Sequence, residues 1–260
     1  MGFLAPAAIA ALGMLAAATS ISSGAGSEGR ETGFLDRSLT LDGETYRYQV
    51  YVPHGYSEST PWPTVLFLHG SGERGDDGMR QTQVGLPSAI RWSSERWPAI
   101  VVMPQAPADG NWQGLGGRIA MAALDQTLAE FRTDPDRVSL TGLSIGGQGT
   151  WYLAYQHPDR FAAIAPVCGF LVSDHHASFL PESLPHPEET VAAKIAGLPT
   201  WVFHGDADNV IPVDAARRLV HALEAAGADV RYTELPGVGH NAWDAAYGSA
   251  ELAEWLLTQR

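Results

Sequence analysis

The sequence has little cysteine and little lysine. Cys168 is its only thiol and Lys194 its only lysine in 260 residues. A lone cysteine excludes an internal disulfide and a metal site built on thiolates. Charged residues make up 17% of the chain, and the formal net charge is −13. A surface of that sign argues against nucleic acid and against anionic membrane, so neither a nucleic-acid nor a stable membrane partner is expected. Internal repeats are missing, and so are long linkers after residue 34. The length, with 45% hydrophobic residues, suits one large domain with a sizeable core.

The N-terminus differs in composition from the rest. "FLAPAAIAALGMLAAATSISSGAGSEG" is an apolar, Ala-rich run followed by a small-residue linker. It has the form of a secretory signal, with cleavage after Ala18 or Ala25. No Lys or Arg precedes the run, and its length approaches that of an uncleaved anchor. Residues 1–33 are therefore expected to be an export signal and linker, and the protein to be periplasmic or extracellular. Residues 34–260 are expected to form the folded domain.

Within that domain, alternation in "LDRSLTL" and "TYRYQVYVP" predicts an antiparallel start. Short apolar runs follow: "TVLFLH", "AIVVMP", "RVSLT", "FAAIAPV", "TWVFH" and "VRYTEL". Helix-like segments separate them, among them "RIAMAALDQTLAEFR", "GTWYLAYQH", "DAARRLVHALEAAG" and "AAYGSAELAEWLLTQ". Continuous apolar strands alternating with helices predict an α/β fold, a mostly parallel central sheet with helices on both faces. The segment 171–198 is too long for a simple crossover loop and is expected to be a small cap.

"RVSLTGLSIGGQGTW" contains Gly142-x-Ser144-x-Gly146 between a strand-like and a helix-like run. Glycines two positions either side of the serine allow a sharp strand-to-helix turn without Cβ clashes. Such a turn pushes the Ser144 hydroxyl out of the sheet edge, and the following helix aims its first N–H groups there. An ordinary Gly-rich turn with a surface serine is the competing reading. A serine nucleophile needs a base. His240, in "LPGVGHNAWD", follows the last strand-like run, with Asn241 and Asp244 set as an N-cap and its partner. His69 and His204 end strands and read as buried and structural. His157, His175, His176, His186 and His221 read as solvated. The base needs an acid to hold its tautomer. "WVFHGDADNVIP" offers Asp206 and Asp208, which spacing does not separate.

The order Ser144, Asp208, His240 is that of the α/β-hydrolase triad. "FLHGSGERGDDG", "VMPQAP…NW", "LTGLSIGGQGTWYLAYQHPDRFAAIAPVCG", "WVFHGDADNVIPV" and "PGVGHNAW" resemble the α/β-hydrolase superfamily, in its carboxylesterase and dienelactone-hydrolase-like branch. The resemblance runs in order over residues 65–243. It implies Ser144 as nucleophile, His240 as base and Asp208, the second aspartate of its stretch, as acid. Dienelactone hydrolases themselves carry cysteine at the nucleophile. The resemblance also implies an oxyanion hole from the backbone N–H groups of Ser71 and Ile145, and no metal or organic cofactor. The substrate it implies is a carboxylic ester, small or polymer-derived. A peptidase of the prolyl-oligopeptidase kind, an acyltransferase and a non-catalytic binding relative are the rivals. The peptidase is disfavoured by a length with no room for a gating domain.

"HGSGERGDDG" also spells Gly70-x-Gly72-x-x-Gly75, a dinucleotide-binding fingerprint. That reading needs a helix N-terminus for the pyrophosphate, and two carboxylates follow instead. It also needs an acid after the next strand, where "VVMPQAP" offers Pro104-Gln105. Trp112 and Trp243 are the candidates for walls of a substrate pocket. Glu73 and Arg74 are expected to pair and hold the oxyanion loop, with an acidic group of the substrate as the alternative partner of Arg74.

Overall fold

The structure is a computed structural model that describes residues 1–2, 30–173 and 177–260. Residues 3–29 of the expected export segment, and His175 and His176 of the expected cap, lie outside the described residues. The fold opens with a hairpin, β1 (Gly33–Leu41) and β2 (Glu44–Val52). Asp42 and Gly43 between them both have positive φ, 55° and 86°. That is the two-residue Asp-Gly turn whose twist suits paired strands.

Six parallel strands follow: β3 (Trp62–Leu68), β4 (Ile100–Pro104), β5 (Thr133–Leu143), β6 (Ala163–Val167), β7 (Thr200–Gly205) and β8 (Val230–Leu235). They complete an eight-stranded sheet in the order β1-β2-β4-β3-β5-β6-β7-β8, with β2 antiparallel to β4. The expected mostly parallel sheet with an antiparallel start is what forms. From β3 the chain steps to β4 on one side, then crosses to β5 on the other. The carboxyl ends of β3 and β5 thus flank a topological switch point, where open α/β sheets leave a crevice.

Alternate side chains on each strand feed two cores. Leu66 and Leu68 of β3 pack into one, with Ala120 and Leu124 of α2 (Leu115–Glu130), Trp151 of α3 (Ile145–Gln156) and Leu219 of the later α5 (Asp214–Ala225). Val65 and Phe67 pack into the other, with Leu86 and Ile90 of α1 (Leu86–Trp92). Tyr247 of α6 (Trp243–Gly248) and Leu256 of α7 (Ala250–Thr258) complete that second face.

Three expectations change in detail. The segment 171–198 holds α4 (Pro187–Ile195), which buries Val191, Ala192 and Ile195 as an ordinary crossover helix. The expected cap therefore narrows to the residues before it. Its described part lies along α3, where Phe179 packs against Tyr152 and Tyr155. The last helical run breaks in two at Ser249, which is extended and caps α7 by accepting the Leu252 N–H at 3.3 Å. Asn241 is not a helix cap: α6 starts from Ala242, and the Asn241 amide donates to Asp244 instead.

Close backbone approach at the switch point depends on glycine. A Cβ on Gly146 would stand 2.0 Å from the Leu68 carbonyl oxygen and 2.6 Å from that of His69. Both obstacles are backbone, so neither yields cheaply. Gly146→Ala is expected to lower unfolding free energy in urea by about 1–3 kcal/mol through overpacking. An unchanged urea midpoint would mean that β3 and α3 separate more readily than this contact implies.

Candidate active site

β5 ends at Leu143 and α3 begins at Ile145, so Ser144 alone makes the turn. It takes φ 56° and ψ −118°, a left-handed strain that few non-glycine residues accept. Its amide donates to the Val167 carbonyl at 3.0 Å, which fixes the turn to β6. The side chain emerges at the crevice. Its Oγ lies 3.0 Å from His240 Nε2, and His240 Nδ1 lies 2.7 Å from Asp208 Oδ2. The three residues are 96 and 32 positions apart along the chain, yet they form one hydrogen-bonded line.

That line fixes the tautomer. Asp208 accepts, so His240 carries a proton on Nδ1 and leaves Nε2 free to accept from the serine hydroxyl. Asp208 is buried. Burial works to raise its pKa, but hydrogen bonds from His204, His240 and the Ile211 and Val210 amides outweigh it and hold the carboxyl well below the usual carboxylate range. Oδ1 accepts from the Val210 and Ile211 N–H groups at 2.8 and 2.9 Å. The structure also separates the two aspartates. Asp206 accepts the Gly237 N–H at 2.6 Å and so pins the loop that carries His240. Asp208 faces the imidazole.

The other side of the crevice is the loop after β3. Ser71–Glu73 form a single 3-10 turn, not the helix that a dinucleotide site requires. A Cβ on Gly70 would stand 3.7 Å from the Ser144 Cβ, so this backbone runs directly beside the nucleophile position. Ser71 follows it, and Ile145 opens α3 on the opposite side. The first amides of a helix have no partner within it, which leaves the Ile145 N–H available to an anion. The loop is stitched down by Gln105, whose amide donates to the Glu73 carbonyl at 3.0 Å and accepts the Gly78 N–H at 2.7 Å. Arg74 holds this loop through the loop's backbone rather than through Glu73: its Nε donates to the Ser71 carbonyl at 2.9 Å. Burial raises the Glu73 carboxyl.

Trp112 is not a pocket wall. It is 1% exposed, and its indole N–H donates to the His69 carbonyl at 3.0 Å. Its ring packs edge-on against His69, and Gly149 of α3 closes on its other flank. A large flat ring with one donor fills the space beneath the loop after β3, which leaves it no face toward a ligand. Trp243 remains at the mouth. It is half-buried, and its ring centroid lies 5.5 Å from that of His240. It lines a cleft of about 370 Å³ together with Gly85, Trp92, Arg96 and Asp244. Two further residues carry no sequence signal of their own. Cys168, with φ 42°, sits buried behind the elbow, and His204 reaches Asp208.

Residues 120–259 match the prolyl oligopeptidase family, more than half of the chain. The chain belongs to that family. Its fold is that of the α/β-hydrolase superfamily, the resemblance drawn from the motifs. A crystal structure of a thermostable esterase shares 31% identity, with a TM-score of 0.72, over 87% of this chain and 63% of that one. The feruloyl esterase module of Clostridium thermocellum shares the fold at 16% identity, with a TM-score of 0.66, over 87% of this chain and 88% of that one. A protein of Arthroderma benhamiae described as secreted is 24% identical over 70% of this chain and 22% of its own length. The chain thus spans less than two thirds of the esterase and of the Arthroderma protein. Among the described residues no helix is long and apolar enough to cross a membrane.

The loop after β3 also rests on the His69 ring. His69 Nε2 accepts the Ala106 N–H at 2.9 Å, and its Nδ1 lies 2.6 Å from the Gly70 carbonyl, so the proton sits on Nδ1. Burial pushes this imidazole down to about 4. In the unfolded chain the ring takes its proton near pH 6.5. Between those values only the unfolded chain binds that proton, so stability is lost as pH falls from about 6.5 to about 4, by up to about 3 kcal/mol. His69→Gln is expected to be less stable at pH 7 but to lose this acid sensitivity. Urea unfolding at pH 7 and pH 4.5 measures it; an acid loss equal to the wild type's would show that His69 does not govern it.

Proposed function

We propose that the protein is a serine hydrolase that cleaves carboxylic esters through an acyl-enzyme. The observation that carries this is the line from Ser144 Oγ through His240 to Asp208, at 3.0 and 2.7 Å. Ser144 attacks the ester carbonyl carbon while His240 Nε2 takes the hydroxyl proton. The carbonyl oxygen becomes an oxyanion that accepts from the Ser71 and Ile145 amides. Collapse expels the alcohol, which receives the proton from His240, and leaves the acyl group on Ser144. Water, deprotonated by the same imidazole, then releases the acid. Two aligned amide donors matter because losing one such donor costs about 10²–10³ in rate.

An ester is favoured over an amide by the esterase among the similar structures, at 31% identity. The feruloyl esterase module shares the fold and is consistent with an ester whose acid is aromatic. Trp243, beside His240, offers an aromatic wall for such a group. The family match to prolyl oligopeptidases supports a second reading, hydrolysis of a peptide or aminoacyl amide by the same residues. The Arthroderma relative, described as secreted, supports export of this protein too. N-terminal sequencing of material recovered outside the cytoplasm tests that expectation.

The purified protein is expected to hydrolyse p-nitrophenyl acetate and butyrate faster than a prolyl p-nitroanilide; the reverse preference favours the peptidase. Ser144→Ala should lower kcat on the ester by about 10⁴ or more. It should also abolish labelling by a fluorophosphonate probe. Near-wild-type turnover by Ser144→Ala would falsify the assignment.

A further inference from the structure

Two imidazoles, not one, meet the Asp208 carboxylate. His240 approaches Oδ2 at 2.7 Å from the loop after β8. His204, in β7, brings its Nε2 to 3.2 Å from the same oxygen and to 2.9 Å from the Ile211 carbonyl oxygen. Both neighbours of that nitrogen are acceptors, so it carries a proton and shares it between them. His204 is 0% exposed, and its Nδ1 has no hydrogen-bond partner among the described residues. The ring therefore offers one N–H, and that N–H is aimed at the carboxylate and at the loop that follows it.

We propose that His204 is a positioning residue for the hydrolysis: its Nε2–H, shared between Asp208 Oδ2 and the Ile211 carbonyl, sets the orientation of the carboxylate and how much of its charge His240 receives. This rests on the triad reading above. Oδ1 is already held by the Val210 and Ile211 amides. Oδ2 is therefore the atom whose charge can be redistributed. The other titratable groups nearby are few. Glu234 of β8 lies beside His204 in register, but its carboxylate is engaged by Arg217 and Tyr232. The Cys168 thiol lies behind, raised by burial and further by Asp208 itself. Neither donates to Oδ2 in place of His204.

The sign follows from charge. Without the His204 N–H, the charge on Oδ2 falls on His240 alone and favours its protonated form. The acid limb of kcat/KM then moves to higher pH. The carboxylate is also less fixed, so kcat falls while KM holds.

The test compares His204→Leu, His204→Asn and His204→Gln with wild type on p-nitrophenyl acetate from pH 5 to 9, with melting temperature as the check on folding. The Gln amide reaches the position of Nε2; the Asn amide reaches only that of Nδ1. His204→Leu and His204→Asn are expected to lose kcat by about tenfold or more, the scale of a hydrogen bond to a charged group. Their acid limb should move up, and His204→Gln should recover both. If the Leu variant does not fold, the Asn and Gln pair decides. An unmoved limb in a folded Leu or Asn variant overturns the proposal, as does equal loss in Asn and Gln. Ser144→Ala, assayed alongside, separates the two readings. If it stays active, the triad reading falls and this one with it. If it is inactive while the His204 variants match wild type, only this proposal falls.

Discussion

A buried carboxylate governs the active-site half of this molecule. Asp208 lies out of water, and an unpaired charge there is costly. Its two oxygens are met by two backbone amides and two imidazoles. Meeting that demand dictates the chain around it. The β7 loop must curl back so that Val210 and Ile211 present their amides. The β8 loop must lie close enough for His240 to reach across. A Cβ on Gly205 would stand 2.2 Å from the Val238 carbonyl oxygen, so the two loops are in contact beneath Asp208 and His240. The Ala207 N–H donates to that same Val238 carbonyl at 3.0 Å. His240 is thus positioned by backbone packing as well as by its hydrogen bond to Asp208.

The elbow obeys a different constraint, that of steric room. Ser144 holds a left-handed backbone that only surrounding structure can enforce. Gly142 and Gly146 supply the space, each so close to neighbouring carbonyl oxygens that a Cβ would stand within 2.4 Å of one. On the far side of the crevice, His69 and Trp112 act as struts: one ring ties Gly70 to Ala106, the other carries the His69 carbonyl. The loop proposed to supply an oxyanion amide is therefore set on the core itself rather than on a surface segment. Preorganised donors of this kind stabilise a developing charge without reorganising as it forms.

These two constraints explain which parts were legible in the sequence. The inner strands are plain because buried parallel strands are continuous apolar runs; the edge strand β8, half-buried and mixed in composition, shows more weakly, and each run forms a strand. The glycines alone also fit an ordinary turn; what marks the elbow is their place between a strand-like and a helix-like run, with Asp208 and His240 following in order. Spacing does not separate Asp206 from Asp208, because both follow Gly205 in a turn; the resemblance points to Asp208, and the geometry shows Asp206 pinning Gly237 and Asp208 facing His240. Trp112 misled because an aromatic beside a Gly-rich loop looks the same in sequence whether it faces a ligand or supports the loop. The last helix was drawn unbroken because Ser249 sits between two good helical runs and announces its cap only weakly. His204 reads as merely structural in the sequence because a strand-ending His gives no hint of which acceptor its N–H will find.

The lone thiol sharpens the chemistry assigned to the hydroxyl. Dienelactone hydrolases place a cysteine at the elbow; here the one cysteine stands a few ångströms behind it, at the end of β6. Burial raises the Cys168 thiol, and Asp208 raises it further, so the thiolate that nucleophilic attack requires is disfavoured. Both nitrogens of His240 are already committed, to Ser144 and to Asp208. A serine hydroxyl is a far weaker acid than a thiol and needs a base held in one tautomer and one orientation. The four donors around Asp208 supply that degree of order. An elbow that carries serine thus calls for a firmly fixed carboxylate, and Asp208 is held by four donors.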